Sequence, residues 1–400
     1  MLQEGSEPMT DASTIGERLR AARTARGMKQ EELAEAADLS RDLIAKLEQG
    51  VRKSARLTSL IKLANALDVE LSALVGKRDR LGTDRDGGSV LALRDAILSP
   101  SFLPDLDDGY DGEPTPVEEL QAAVDAAWHA YWAGEFGPLL ARIPGLVAES
   151  RLAHSAFGVP AVRVLAQSYD LGANLLVQLG RNDLAAIASE RAIVTAHGGN
   201  DELLWATMHG TYSWLLLHQA RLAEAERVAG EIAARIEPSF SSPPPHLAAW
   251  GNLLVTALAP AAAAGRDVSE YISMASAAGE RLGERVPVFH TSFGPASAAM
   301  QAVHAYTVRR EPGKALKAAG RLRPGDLQGI SQGAHLLDVA QAHVDARHYK
   351  TAAERLLEAR SQSAVWFRHQ VLARDLVEGI REEDARPSPA VRSLAHSLSI

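Results

Sequence analysis

The sequence predicts an all-α protein that consists of a small helical head and a long array of helical hairpins. Three observations support this fold class. After Val117, apolar residues recur at i, i+3 and i+4, Ala and Leu dominate, and no segment alternates like a strand for long. In that part, short segments of similar character recur at nearly regular intervals. Before Val117, several helix-capping residues lie close together in a stretch of chain whose length suits one small core.

The head begins with a capping box, because Thr14 is followed three residues later by Glu17. This pattern predicts a first helix from Ile15 to about Arg26, and Gly27 ends it. The other predicted helices of the head are Lys29–Ala36, Arg41–Gln49 with Ser40 as its cap, Thr58–Leu67 and Leu71–Val75. Their inward apolar residues are Leu19, Leu33, Ala37, Leu39, Ile44, Leu47, Leu60, Leu63, Leu67 and Leu71.

Two composition breaks divide the chain. The first, Gly82–Gly88 and Ser99–Pro116, is rich in Pro, Asp and Gly, which do not continue a helix. We therefore predict a head at 14–80, a linker at 81–116 with a short helix at Val90–Leu98, and a body at 117–400. The second break, Glu237–Pro245, is predicted to be a loop inside the body.

The body contains five related segments that each open the second helix of a hairpin. They begin at Arg181, Arg221, Gly265, Glu311 and His348, which are 40, 44, 46 and 37 residues apart. Each follows a longer helix-like stretch and places Ala at close-packing points. The pattern resembles the tetratricopeptide repeat, with a longer and less even period than the usual 34 residues. Such hairpins bury their apolar faces by stacking, so we predict an α-solenoid with a concave surface.

Composition and charge exclude several classes of protein. The chain has 400 residues, 46% of them apolar, and no cysteine, which excludes disulfides, thiolate metal sites and cysteine nucleophiles. The longest apolar stretch, Leu253–Ala264, is too short to span a membrane and contains Pro260. We therefore expect a cytoplasmic protein without a membrane partner. From Thr14 to Arg80, 14 Lys and Arg face 10 Asp and Glu, so a head of charge +4 sits in a chain of charge −8.

The residues from Ile15 to Val75 resemble the helix-turn-helix domain of phage repressors and of the xenobiotic-response-element (XRE) regulators of bacteria. Three segments carry the resemblance: Gly27-Met-Lys-Gln-Glu-Glu-Leu-Ala, Leu39-Ser-Arg-Asp-Leu-Ile-Ala-Lys-Leu-Glu-Gln-Gly and Leu60-Ile-Lys-Leu-Ala-Asn-Ala-Leu. The resemblance covers about one-sixth of the chain, and it requires several residue spacings to match at the same time. The resemblance implies a domain that reads duplex DNA with its third helix.

The same resemblance assigns roles to individual residues. Gln30 would contact the DNA backbone and brace the recognition helix, while Ser40, Arg41 and Asp42 would reach base edges, with Lys46 one turn further along the same face. Asp42 could instead orient Arg41. The residues that would grip phosphates in the following loop are Arg52, Lys53 and Arg56. All of these charges could also be ordinary solvated ones.

Two residues of the head depart from the family pattern. Lys29 stands where Ser or Thr usually caps the second helix, which costs about 1 kcal/mol. Asp38 stands where the turn usually has Gly, and Asp tolerates a left-handed conformation better than most residues.

The body, placed behind such a head, resembles the tetratricopeptide-type regulators of Gram-positive bacteria, several of which bind short peptides in a concave groove. Polar residues that could line one face of a helix from about Pro160 to Leu179 are Arg163, Gln167, Asp170, Asn174 and Gln178. This stripe either faces solvent or clamps peptide amides in the groove, and Asn252 and Gln301 could join it from later helices.

Aromatic and histidine residues of the body have simpler interpretations. Trp128, Tyr131 and Trp132 lie at i, i+3 and i+4, which favours core packing, as it does for Trp205 and Trp214. The histidines lack a metal-ligand spacing, so no metal and no cofactor is expected. The chain also lacks GxGxxG, a Walker loop, Gly-x-Ser-x-Gly and HExxH, so we expect no enzyme.

These observations favour a sequence-specific transcriptional regulator of bacterial operator DNA. A homodimer is expected, since such domains usually read two half-sites, and the body would sense a peptide or small ligand and mediate dimerisation. The alternative is a scaffold or antirepressor whose solenoid binds a partner protein and whose head recruits it to DNA. A constitutive repressor without a ligand fits the sequence equally well.

Overall fold

A computed structural model describes residues 14–52, 55, 57–69, 74, 90–100, 114–383 and 388–400. Twenty α-helices and one small β-hairpin are present in these residues, so the predicted helical fold class is confirmed. Four helices belong to the head: α1 (Ile15–Ala25), α2 (Gln30–Ala36), α3 (Arg41–Glu48) and α4 (Leu57–Leu67). A further helix, α5 (Val90–Ile97), precedes the body. The predicted fifth helix of the head lies outside the described residues except for Leu74, which is buried.

The head forms where its sequence supplies caps and an apolar face. Thr14 and Glu17 make both hydrogen bonds of the capping box at the start of α1. The core contains the predicted leucines and Ile44, while Leu39 in the turn is only partly buried and Leu71 lies outside the described residues. Helix α1 crosses α3 closely at Gly16, where a Cβ atom would lie 1.9 Å from the carbonyl oxygen of Leu47.

The body is built from seven helix pairs that follow one another along the described chain. The inner members of the pairs, which contact one another in sequence, are α6 (Val117–Ala133), α8 (Val162–Gln178), α10 (Glu202–His218), α12 (Pro244–Ala263), α14 (Pro295–Val308), α16 (Gly329–Asp345) and α19 (Val371–Glu383). The outer members are α7 (Phe136–Phe157), α9 (Asn182–His197), α11 (Leu222–Arg235), α13 (Ser269–Leu282), α15 (Pro312–Ala319), α17 (Tyr349–Gln362) and α20 (Pro389–Leu398). A short helix, α18 (Ala364–Arg368), follows α17.

A left-handed residue ends the inner helix of most pairs and turns the chain into the outer helix. These residues are Gly134, Gly180, Ala220, Gly265, Arg310 and Arg347, whose φ angles lie between 61° and 76°. Left-handed residues commonly end helices because they let the following backbone N–H groups bond back to the last carbonyls. The five repeated segments of the sequence begin at or directly after such residues, which explains their recurrence.

The array of hairpins closes on itself. The hydroxyl of Ser363, after α17, donates to the carbonyl oxygen of Gly134, after α6, at 3.2 Å. Gly329, at the start of α16, approaches Trp132 so closely that a Cβ atom would lie 2.1 Å from its carbonyl oxygen. One apolar core cluster accordingly joins the early helices with α16 to α20. The first hairpin of the body and the hairpin that begins with α16 are therefore in direct contact.

A β-hairpin interrupts the helical pattern between α13 and α14. Its strands, β1 (Val286–Val288) and β2 (Thr291–Phe293), pair antiparallel, with Val288 opposite Thr291. Phe293 packs against α12 at Gly251, where a Cβ atom would lie 2.3 Å from the phenyl ring. This element is not predicted from the sequence, because three-residue strands are too short to show a clear alternation.

One helix in the described part of the chain, Pro244–Ala263, is long and apolar enough to cross a membrane. In its most apolar window, 67% of the helix is buried inside the body, as in the core helix of a folded domain. It is α12, and its neighbours α11, α13 and α14 cover it.

Candidate nucleic-acid interface and inner groove

The turn between α2 and α3 has the geometry that a helix-turn-helix unit needs. Asp38 adopts a left-handed φ of 49°, as its position in the turn requires, and its carboxylate pairs with Lys62 of α4 at 2.7 Å. That pair lowers the pKa of Asp38 below its usual value. Ser40 then accepts a hydrogen bond from the backbone nitrogen of Leu43 at 3.2 Å and so caps α3. At the start of α2, Glu32 accepts from the backbone nitrogen of Lys29, although the Lys29 side chain makes no cap.

Helix α3 is held against α1 and α2 by the carboxylate of Glu48. Its two oxygens accept from Nε and Nη2 of Arg23, at 2.6 and 2.9 Å, and from Nε2 of Gln30 at 2.8 Å. The Glu48 side chain is only 3% exposed. Burial alone would raise the pKa of Glu48, but the hydrogen bonds from Arg23 and Gln30 lower it below its usual value. Gln30 therefore braces α3 through this carboxylate.

The first turn of α3 presents its side chains to solvent. Ser40, Arg41 and Asp42 are exposed, and so is Lys46 one turn later. Arg41 pairs with Glu31 at 3.0 Å, while Asp42 pairs with Lys46 at 2.8 Å. In this structure Asp42 therefore does not orient Arg41. Exposed ion pairs of this kind are worth little, so they can be exchanged for contacts to DNA at small cost.

The loop after α3 is only partly described. Arg52 is exposed, and its backbone nitrogen donates to the carbonyl oxygen of Lys46 at 2.8 Å, which keeps the loop close to α3. Lys53 and Arg56, the other two predicted phosphate contacts, lie outside the described residues.

The inner helices of the body surround a groove of about 1960 Å³. Single small ligands usually occupy sites of ~300–1,000 Å³, so this groove is large enough for several residues of a peptide. Four of the predicted polar residues line it: Asn174, Gln178, Asn252 and Gln301. The amide of Asn252 donates to the hydroxyl of Thr291 in the β-hairpin at 3.0 Å. The described residues contain no group of three His, Asp or Glu side chains that could hold a metal ion.

The predicted polar stripe on α8 divides between three environments: the groove, which Asn174 and Gln178 line, the protein interior and the solvent. Gln167 and Asp170 are buried, and Gln167 accepts from Gln121 of α6 at 2.8 Å. Arg163 is exposed and lies 5.2 Å from the ring centre of Phe289, outside the groove lining. The stripe therefore neither faces solvent nor lines the groove along its whole length, because α6 and the β-hairpin cover its middle.

The aromatic residues of α6 differ from one another in exposure. Trp128 and Tyr131 are each 2% exposed, in agreement with core packing. Trp132 is 38% exposed and donates from Nε1 to the carbonyl oxygen of His290 at 2.8 Å, so its prediction as a core residue is wrong. Trp205 and Trp214 are partly buried and pack against the core, as expected for hairpin packing.

An ionisable pair lies on the groove wall between α14 and α16. Nδ1 of His304 lies 3.1 Å from Oδ1 of Asp338. Burial lowers the pKa of His304, but the Asp338 carboxylate more than offsets this and raises it above its usual value. His335, on the same helix as Asp338, has its pKa lowered by burial.

We expect the His304–Asp338 pair to make the stability of the body depend on pH. A histidine whose pKa is raised by folding stabilises the protein below its unfolded pKa and loses this contribution as pH rises through its folded pKa. The thermal midpoint of the wild type should therefore exceed that of His304→Gln most at low pH, and this excess should shrink as pH rises above about 6.5, the usual pKa of an unfolded histidine. A difference that stays constant or grows with pH would contradict this assignment.

Two features of these sites were not predicted from the sequence. Glu48 and its partner Arg23 lie 25 residues apart, and only the folded head brings them together. The segment Val286-Pro-Val-Phe-His-Thr-Ser-Phe places β-branched residues between two helices, which is a weak strand signal that could have indicated the β-hairpin.

Comparison with known sequences identifies the head. A helix-turn-helix family model matches residues 19–74. The immunity repressor protein of Bacillus phage phi105 is 31% identical over 121 residues, which are 29% of this chain and 83% of the phage protein.

Two solved structures align over most of the chain at low similarity. BtubC from P. vanneervenii is 14% identical, with 69% of this chain and 95% of that chain covered and a TM-score of 0.37. PlcR of Bacillus thuringiensis, solved with the peptide PapR7 and DNA, is 13% identical, with 68% and 96% covered and a TM-score of 0.30. Superpositions at these TM-scores do not establish a common arrangement of the helices.

Proposed function

From the membership of this chain in the phage-repressor family of helix-turn-helix regulators, we propose that it is a sequence-specific regulator whose body binds an effector. It is a DNA-binding regulator of the repressor type, and its relatives are regulators rather than enzymes. The finer proposal is that two heads read one operator and that a peptide or small ligand in the inner groove controls their spacing. The single observation that carries the proposal of DNA reading is the exposed first turn of α3, a helix that Glu48 anchors to the rest of the head.

The DNA contacts of this proposal follow from exposure and charge. Arg41 can offer two parallel hydrogen bonds to guanine, and Asp42 can accept from cytosine, while Ser40 and Lys46 extend the same face. The Gln30 side chain lies beside α3 and is half-buried, which suits a contact to the DNA backbone. Arg52, Lys53 and Arg56 would add phosphate contacts and with them salt dependence.

The inner groove supports a peptide as the effector class. Its volume exceeds that of a single small-ligand site, and its walls carry amides as well as apolar side chains. The side chains of Asn174, Asn252 and Gln301 would bond to the peptide backbone, whereas Arg163, Gln167 and Asp170 do not line the groove in this structure. The effector would act by favouring one of several spacings of the two heads.

This proposal places the functions in three regions of the chain. Residues 14–80 would bind DNA, residues 81–116 would connect the head to the body, and residues 117–400 would sense the effector and form the dimer. One head makes too few contacts for tight specific binding, which is why we propose a homodimer on two half-sites. Such a regulator acts on DNA in the bacterial cytoplasm.

The experiment that tests DNA reading is fluorescence anisotropy of the purified full chain on promoter DNA from its own locus, across a salt series. We expect saturable binding that weakens with salt, and a loss of about 10-fold to 100-fold in operator affinity for Arg41→Ala. Affinity for random DNA should change much less, because Arg41 acts on bases.

The matched control is Arg227→Ala, since Arg227 on α11 is similarly exposed and also paired with a glutamate. This variant should bind the operator like the wild type. Equal affinity of the wild type for operator and random DNA would contradict the proposed sequence reading.

A further inference from the structure

The turn of the β-hairpin inserts into the wall of the inner groove formed by α6 and α8. Its two residues are Phe289 and His290, which connect β1 to β2. Trp132 of α6 donates to the carbonyl oxygen of His290 at 2.8 Å, and the guanidinium of Arg163 lies 5.2 Å from the ring centre of Phe289. The turn therefore contacts helices more than 100 residues earlier in the chain.

The side chain of His290 fills a slot between an aromatic ring and a buried carboxylate. Its ring stacks on that of Trp128, with centroids 3.8 Å apart and planes 11° apart. Its Nε2 lies 2.9 Å from Oδ2 of Asp170. Only 2% of the His290 side chain and none of the Asp170 side chain is exposed. The slot thus holds a flat group that carries nitrogen.

His290 satisfies this slot incompletely. Both carboxylate oxygens of Asp170 and Nδ1 of His290 are buried and have no hydrogen-bond partner, although Nε2 of His290 lies 2.9 Å from Oδ2. Buried polar atoms are nearly always hydrogen-bonded, and leaving one without a partner costs free energy. An imidazole directs only one nitrogen at the carboxylate, and here that nitrogen makes no hydrogen bond, so both carboxylate oxygens lack a donor.

A guanidinium matches the slot better than the imidazole does. Its planar fork carries parallel N–H groups that pair with both oxygens of a carboxylate at once. Its flat face also stacks on an indole ring. The ring of Trp128 and the unpartnered oxygens of Asp170 offer these two contacts, and both Trp128 and His290 line the groove from which a ligand would enter.

We propose that the slot between Trp128 and Asp170 binds the guanidinium of an arginine-bearing peptide and that His290 occupies it when the peptide is absent. This inference rests on the proposed function, because it names the chemical class of the effector in the groove. Phe293, at the base of the β-hairpin, packs on α12 at Gly251, so the turn can leave the slot while the base of the hairpin stays attached.

The test is direct binding to the full chain without DNA, measured by calorimetry with N-acetyl-arginine amide. The control probes are N-acetyl-citrulline amide, which has the same shape without the charge, and N-acetyl-lysine amide, which has the charge without the planar fork. We expect the arginine probe to bind at least tenfold more tightly than either control. His290→Ala vacates the slot and should raise affinity for the arginine probe at least tenfold, and adding Asp170→Asn should abolish its preference over citrulline.

Equal binding of arginine and citrulline probes to folded His290→Ala protein would overturn the inference and leave His290 as a structural clamp of the hairpin. If a variant fails to fold, the wild type is tested with the same two probes, and equal binding of the arginine and citrulline probes to it would overturn the inference. Operator binding is measured separately by anisotropy. If the protein binds its operator specifically but shows no preference for the arginine probe, only this inference is contradicted. If it binds the arginine probe but no specific DNA, only the proposed function is contradicted.

Discussion

Replacing Glu48 with Ala should unfold the head while leaving the body folded. Glu48 accepts three hydrogen bonds, from Arg23 and Gln30, and its removal leaves the largely buried Arg23 guanidinium without a counter-charge. Breaking a buried ion pair in this way costs about 3–5 kcal/mol. This is a large part of the ~5–15 kcal/mol that stabilises a whole domain, and small domains lie at the low end. Operator binding should therefore be lost.

Two probes distinguish the head from the body in this experiment. All six tryptophans lie after residue 120, so tryptophan fluorescence reports only on the body, and hydrogen exchange of α1 to α4 reports on the head. Glu35→Ala is the matched control, because Glu35 is an exposed glutamate on α2. Protection of the head that survives Glu48→Ala as it survives Glu35→Ala would show that the carboxylate does not anchor α3.

A methyl group at Gly329 should open the closed array of hairpins. The Cβ atom of Gly329→Ala would lie 2.1 Å from the carbonyl oxygen of Trp132, and Gly329 has a left-handed φ of 55°. Overpacking of this kind costs about 1–3 kcal/mol, and the left-handed conformation adds about 1–2 kcal/mol for a residue with a Cβ atom. We expect a lower thermal midpoint by tryptophan fluorescence and a larger radius of gyration in solution scattering.

Gly325→Ala separates the steric effect from the backbone effect. Gly325 also has a positive φ, of 94°, but nothing lies within 4 Å of the Cβ atom that alanine would add. It should lose stability without expanding the body. If both variants lower the midpoint equally and neither expands, the contact between α6 and α16 does not hold the array closed.

The helices could be predicted from the sequence because local signals determine them. Ser40 caps α3, Thr14 and Glu17 cap α1, and left-handed residues such as Gly180 end the inner helices of the body. Each of these effects acts within four residues, so it leaves a pattern that can be recognised in the sequence.

The closure of the array could not be predicted, because it depends on the sum of many small rotations between neighbouring hairpins. The contact of Ser363 with Gly134 spans 229 residues, and the role of each residue as a local helix cap does not indicate its distant partner. The irregular spacing of 37 to 46 residues between repeated segments leaves the total rotation undetermined.

The surroundings of the polar stripe on α8 could not be predicted from the sequence for a related reason. Helical spacing places Gln167, Asp170 and Asn174 on one face, and it leaves open what covers that face. In the structure Gln121 bonds to Gln167 and the side chain of His290 reaches Asp170, 120 residues further along the chain. Asn174 and Gln178, nearer the end of the helix, line the groove.

The most direct test of the central claim, that α3 reads a specific operator, is selection of binding sites from a random duplex pool by the full chain. We expect enrichment of a two-fold symmetric motif whose half-sites are about 10 base pairs or a multiple of that apart. Selection with Arg41→Ala should yield the same spacing but lose base preference at one position of each half-site. A pool that stays random after repeated rounds with the wild type would contradict sequence-specific reading by this protein.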